Sequence, residues 1–365
     1  MRFHAVVAST AMALTLAVTP AFAAKITVSQ YGRLVATLPW AVALEKGMFK
    51  QAGLDIDGIT AGAGGGTSLR NMLAGELPYA EIATSAAIAG TLAGVELKAV
   101  ASSSNHIGEL TWAAKPDAGI ASIKDLVGKK VAYTSPKSIT EMVIRTALKR
   151  EGLTGKVEIL PLGGLGPALT ALAQGAVAAA PFNDPALTIT PDKYKVLFYG
   201  HQYYPKFTWQ VAVTTREFAG KNPQSLRKIL DVHRKAVEFV YGNREETARI
   251  YAKVWEVSLA EASAILPKYY EWQHWSRGDF SKEGLAAVSD GLISVGELKE
   301  PFDWNRLIDQ SLLDEDLRRP LWIPWLCACP YRKTGSHFSG TCADGEGHAH
   351  PRDRGSHAGR GVRDR

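Results

Sequence analysis

Cysteine is absent from the first 326 residues of this 365-residue chain; Cys327, Cys329 and Cys342 all fall in the tail. The body therefore has no disulfide framework and no thiolate chemistry, and a chain of this length can bury enough surface to fold without either. Beyond the amino-terminal leader no apolar run reaches the roughly 20 residues that span a bilayer. Charge of one sign is also scarce. The formal net charge is +6, but the stretch from Arg319 onward carries 8 basic and 4 acidic residues and the leader adds Arg2. The remainder is close to neutral, which gives a nucleic-acid or membrane-surface partner no electrostatic support. There is no Gly-Lys-Ser phosphate loop, no nucleophile elbow and no histidine pair at zinc spacing. His106, His201, His233 and His274 are scattered along the chain. No catalytic role, cofactor or metal is expected.

Met1 to Ala24 carries an early positive charge at Arg2, an apolar run from Ala11 to Val18, Pro20, and the small-residue pattern Ala21-Phe22-Ala23. This reads as a secretory signal peptide cut near Ala23 or Ala24, which places the mature protein in the periplasm. No cysteine follows the cut, so no lipid anchor is expected. At the other end, residues 318–365 lose all apolar periodicity and read as a disordered or frame-shifted tail. A metal site built from Cys327, Cys329, His337 and Cys342 matches no familiar zinc spacing.

Between these ends the chain repeats itself at an offset of 100 residues. Gly64, Leu69, Met72, Gly75 and Leu77 correspond to Gly164, Leu169, Leu172, Gly175 and Val177. Each copy reads as a Gly-rich turn, a short helix, a Gly stop and a buried strand, so two similar lobes are expected. Strands alternating with helices imply an α/β protein with parallel-rich sheets covered on both faces. One long helix is expected over 40–52. After Trp209 the pattern turns helical, and those helices are expected to return to the first lobe. The lobes then span 25–112 with 210–317, and 113–209, with crossovers near Thr111 to Lys115 and Thr208 to Val213.

The segments Ala43-Leu44-Glu45-Lys46-Gly47-Met48-Phe49-Lys50-Gln51-Ala52-Gly53-Leu54 and Gly128-Lys129-Lys130-Val131-Ala132 resemble the substrate-binding proteins of nitrate, sulfonate and taurine importers. So do Pro161-Leu162-Gly163-Gly164 and Asp184-Pro185. Pro78 and Ala178 depart from the family, whose members usually carry Asp there. The resemblance, which extends to pyrimidine-precursor binding proteins, implies a type II periplasmic binding protein fold: two lobes joined by a two-crossover hinge. It implies a monomer that captures a small organic ligand, such as a sulfonate, a carboxylate or a pyrimidine-like heterocycle. An ABC permease in the inner membrane would receive it. A sensory module presenting ligand to a membrane receptor is the alternative. A thiamine-pyrimidine-synthase-like enzyme is disfavoured because its cysteine-rich motif is missing.

Ligands of parallel α/β lobes gather at the carboxyl ends of strands, where helix amino termini offer free amide hydrogens to anions. That rule singles out Tyr31 and Arg33 after the first strand, Gly65, Gly66 and Thr67 in the first Gly-rich turn, and Thr84 and Ser85 after the third strand. In the second lobe it singles out Ser135, Lys137, Gly164, Asn183 and Asp184. Asp184 matches the family's acidic residue before proline, which the resemblance places near the cleft mouth. Ser138 with Glu141 reads as a capping box. Trp40 and Phe182 join Tyr31 as rings able to stack on a planar ligand.

Overall fold

The computed structural model describes residues 24–136, 138–190 and 192–319. The leader, the tail with its three cysteines, and the candidate Lys137 lie outside the described residues.

The strands follow in order as β1 (Ala24–Ser29), β2 (Ile56–Gly62), β3 (Tyr79–Ala83), β4 (Leu97–Ser104), β5 (Thr111–Ala114), β6 (Lys130–Tyr133), β7 (Glu158–Pro161), β8 (Ala180–Phe182), β9 (Lys195–Tyr199) and β10 (Gln210–Thr215). The first sheet has the order β2-β1-β3-β10-β4. Here β1 runs parallel to β2 and β3, whereas β10 runs antiparallel to β3 and β4. In the second lobe β5 lies antiparallel between β8 and β9, and β6 pairs parallel with β7. A parallel bridge between Val131 and Ala179 ties these pieces together. Ala132 N–H donates to Ala179 O at 2.8 Å and Ala178 N–H to Lys130 O at 2.7 Å. The resulting order, β7-β6-β8-β5-β9, copies that of the first sheet.

In each sheet four of the five strands point the same way and one, β10 or β5, runs against them, so the sheets are parallel-rich as expected, with a single antiparallel insertion. In each lobe the fourth position is taken by a strand arriving from the other lobe, and a returning strand enters from the opposite end. The crossings run through residues 105–110 and 200–209, a few residues before the segments expected. This is the two-lobed arrangement that the resemblance implies.

The helices are α1 (Leu38–Glu45), α2 (Met48–Gln51), α3 (Gly65–Ala74), α4 (Thr84–Leu92), α5 (Ile139–Arg150), α6 (Leu165–Ala173), α7 (Arg216–Lys221), α8 (Pro223–Gly242), α9 (Arg244–Trp255), α10 (Leu259–Glu271) and α11 (Lys282–Ser294). The single helix expected over 40–52 is two, because Gly47 adopts φ 62°, a left-handed conformation that ends a helix and that glycine adopts without a Cβ penalty. The 100-residue repeat appears as α3 before β3 and α6 before β8, each helix preceded by an extended glycine, Gly64 or Gly164. Helices α8 and α9 pack on α1, and α10 packs on α9. Helix α11 does not simply return to the first lobe: it touches both α4 and α5. Gly291 makes this possible, since a Cβ there would stand 3.0 Å from Met142 Sδ of α5.

Ser138 caps α5, accepting from Glu141 N–H at 3.2 Å while its hydroxyl lies 2.7 Å from Thr140 Oγ1. Removing a side-chain cap leaves one helix donor unsatisfied. Ser138→Ala should therefore cost about 1 kcal/mol in urea denaturation; an unchanged midpoint would show that Thr140 alone holds this turn.

Candidate functional site

The carboxyl ends of β1, β3 and β4 open toward the two crossings, and several buried polar groups collect there, Glu109, His106 and His274 among them. Glu109, on the first crossing, is 2% exposed. Its carboxyl accepts from Val35 N–H at 2.7 Å and from Ala36 N–H at 3.3 Å. These amides open the short 3-10 turn Val35–Thr37 that runs directly into α1. Burial pushes the Glu109 carboxyl up to about 8, against the pull of the two amide bonds. His274, fully buried after α10, brings Nε2 to 3.5 Å from Glu109 Oε2. Burial drives His274 down to about 3 and His106 likewise, so both imidazoles are neutral at pH 7.

Around this pair the rings pack edge and face. His106 lies 5.1 Å from both His201 and Trp272, with His274 6.0 Å away. Tyr269 meets His274 edge-on at 4.9 Å. Histidines that the sequence scatters are thus gathered by the two crossings and the 272–275 segment. Among the described residues no group of three His, Cys, Asp or Glu side chains has the geometry to hold a metal ion.

From the second lobe comes Asp184, in the loop after β8. Its Oδ2 sits 2.5 Å from Lys268 Nζ and accepts from the Tyr269 hydroxyl at 2.8 Å. Thr188 donates to Oδ1 at 2.7 Å. A side chain from the second sheet is therefore clasped by α10, which belongs to the helices packed on the first. Several buried polar atoms nearby have no hydrogen-bond partner: both ring nitrogens of His274, His201 Nδ1, Tyr251 Oη, Asn183 Oδ1 and Gln210 Oε1. Buried polar atoms are rarely left in this state without reason. Those of His274, His201 and Tyr251 lie at the meeting of the two lobes and make it the candidate place for a ligand with hydrogen-bonding groups, while Tyr79 Oη, Glu81 Oε1 and His233 Nε2 are likewise unpartnered inside the first lobe.

The residues singled out from sequence fall into three groups. Asn183 and Asp184 stand at this meeting point, Asp184 already spent on Lys268, Tyr269 and Thr188. Arg33, Gly66 and Ser135 are exposed, while Tyr31, Gly65, Thr67, Ser85 and Gly164 are half-buried. Gly65 has a packing reason, because a Cβ there would stand 2.5 Å from Ala86 Cβ of α4. Thr67 accepts from Arg70 at 3.2 Å.

The third group is interior, and for these side chains the ligand-contact expectation is corrected. Trp40 is fully buried in the first lobe, stacked on Phe49 at 5.9 Å and donating Nε1–H to Glu81 at 2.5 Å. Phe182 is 1% exposed and packs on Tyr194 at 4.6 Å. The Thr84 hydroxyl is buried and donates to Thr208 O at 2.6 Å, pinning α4 to the second crossing. In each case the side chain turns into the packed interior.

Glu109, Tyr251, Tyr269 and His274 were not foreseen. The one usable signal was a lone acid in the mostly apolar stretch Ile107-Gly108-Glu109-Leu110. A separate surface hollow of about 390 Å³, lined by Arg227, Lys228, Leu230, Arg277 and Leu313 among others, shares no residue with these walls.

Residues 36–247 match the family described as NMT1/THI5 like. A Bacillus subtilis (strain 168) protein assigned as aliphatic sulfonates-binding is 27% identical over 62% of this chain and 70% of its own length. The crystal structure of the periplasmic aliphatic sulphonate binding protein SsuA from Escherichia coli superposes with a TM-score of 0.66 at 16% identity, covering 90% of this chain and 98% of that one. The desulfurization enzyme DSZB also shares the fold, with a TM-score of 0.58 at 13% identity over 79% of this chain and 97% of that one. The fold is that of the two-lobed periplasmic binding proteins, and it carries both binders and at least one enzyme.

Proposed function

Because the chain belongs to the NMT1/THI5-like family, we propose that it is an extracytoplasmic solute-binding protein that delivers a small organic molecule to an ABC permease. The observation that carries this reading is the convergence of unpartnered, neutral polar groups where the two lobes meet: His274, His201 and Tyr251. The family match and the sulfonate-binding relative support it. The signal-peptide pattern before Lys25 fits a protein that works in the periplasm.

The proposed mechanism is population shift by hinge closure. Ligand contacts from both walls favour a closed state over an open one, with the 105–110 and 200–209 crossings as the hinge. The permease would read that state. The cluster's histidines are held neutral by burial, and the sulfonate-binding relative favours a receptor.

A thermal-shift screen of the full chain against alkanesulfonates, aromatic carboxylates and pyrimidines tests it. A ligand present at 100 times its dissociation constant should stabilise the protein by about 2.7 kcal/mol. A clear rise in melting temperature with one chemical class is expected; no rise with any class would contradict solute binding.

A further inference from the structure

We propose that Glu109 sets the specificity of the cleft by filling its anion seat, so that ligands carrying a free sulfonate or carboxylate headgroup are turned away at that position. The inference rests on the solute-binding reading and narrows it: the ligand presents neutral, hydrogen-bonding groups to this wall.

Three observations lead there. The amides of Val35 and Ala36 open the 3-10 turn Val35–Thr37 that leads into α1, and N–H groups at the start of such a turn suit an anion. In this chain they are taken by a carboxyl from 74 residues away, at 2.7 and 3.3 Å. This is not a local cap, because Glu109 arrives on the first crossing and is 2% exposed. Second, the side chains aimed at the seat are uncharged. His274 is fully buried, both its ring nitrogens lack a hydrogen-bond partner, and its Nε2 is 3.5 Å from Glu109 Oε2. The Tyr251 hydroxyl, on α9, is equally unpartnered. Third, the cation that acts on Glu109, Lys268, is committed to Asp184 at 2.5 Å, and Arg33 stands exposed in the turn. A sulfonate entering here would meet an occupied amide pair and no unengaged positive charge. A neutral heterocycle or amide would meet donors and acceptors that lack partners.

Ethanesulfonate, titrated into the full chain with tryptophan fluorescence as the readout, tests this. The wild type should show no saturable change at millimolar concentration. Glu109→Ala, which empties the seat, should bind at least about tenfold more tightly. Glu109→Gln, which keeps it filled, should behave as the wild type. Glu109→Ser provides a second emptied seat if the alanine variant melts too low to titrate. An emptied seat that gains no affinity, or a wild type that binds as tightly as the emptied variants, would overturn the role of Glu109. A wild type that binds ethanesulfonate well would leave solute binding intact, whereas a wild type that responds to nothing in the full ligand screen would remove the function itself.

Discussion

Asp184→Ala should lower the stability of the protein by about 2 to 4 kcal/mol, the range for removing one partner of a largely buried, hydrogen-bonded ion pair. The carboxylate is 5% exposed and satisfies three donors: Lys268 Nζ at 2.5 Å, the Tyr269 hydroxyl at 2.8 Å and the Thr188 hydroxyl at 2.7 Å. Without it the buried Tyr269 hydroxyl has no acceptor. Lys268, about a quarter exposed, can recover part of its hydration, which keeps the cost below the top of the range. Because Asp184 comes from the second lobe and α10 from the helices on the first, the same substitution should also loosen the lobes. Urea denaturation would register the first effect and an increased radius of gyration in small-angle scattering the second. A loss under about 1 kcal/mol would mean that the clasp is solvated and holds nothing.

Stability should peak near pH 6.5 and fall by about 2 to 3 kcal/mol between there and pH 8.5. Two buried acids set the alkaline limb. Burial raises Glu81 to about 7 and Glu109 to about 8. Above the ordinary carboxylate range the unfolded chain releases protons that the folded chain keeps, so these acids cost stability as pH rises through about 7 and about 8, and above pH 6.5 the histidines no longer offset that cost.

Histidines set the acid limb. Burial lowers His233 to about 4, and His106 and His274 to about 3. Below pH 6.5 the unfolded chain takes up protons that these rings refuse, and stability falls with pH. Glu81 is faced by Trp40, Tyr79 and His233, and Glu109 by His274, Asp184, Lys268, Tyr251 and Tyr269. Glu109→Gln should remove more than half of the alkaline loss; an alkaline limb unchanged in Glu109→Gln combined with Glu81→Gln would show that other groups cause it.

The fold was legible because its signals are local and repeated. Gly64 and Gly164 open equivalent helices, Ser138 caps α5, and α9 begins and ends where its periodicity does. What could not be read locally was strand direction. Nothing in Thr111–Ala114 or Gln210–Thr215 reveals that each pairs antiparallel inside the opposite lobe's sheet, since the alternation of side chains is the same in either direction.

The site was less legible for a related reason. The strand-end rule names turns, but it cannot say whether a side chain such as Thr84 turns outward or into the core. It also overlooks groups delivered by the crossings, such as Glu109, and by the segment after α10, such as His274. Only the return of the chain across both lobes brings residues 109, 184 and 274 together, and sequence spacing carries no trace of that meeting.

The central claim is that a ligand is held where the two lobes meet. Amide hydrogen exchange of the full chain, with and without the compound giving the largest thermal shift, tests it most directly. Joint protection of residues 105–110, 183–188 and 272–276, drawn from both lobes, is the expected result. Protection confined to one lobe, or to the hollow lined by Arg227, Lys228 and Leu313, would contradict it.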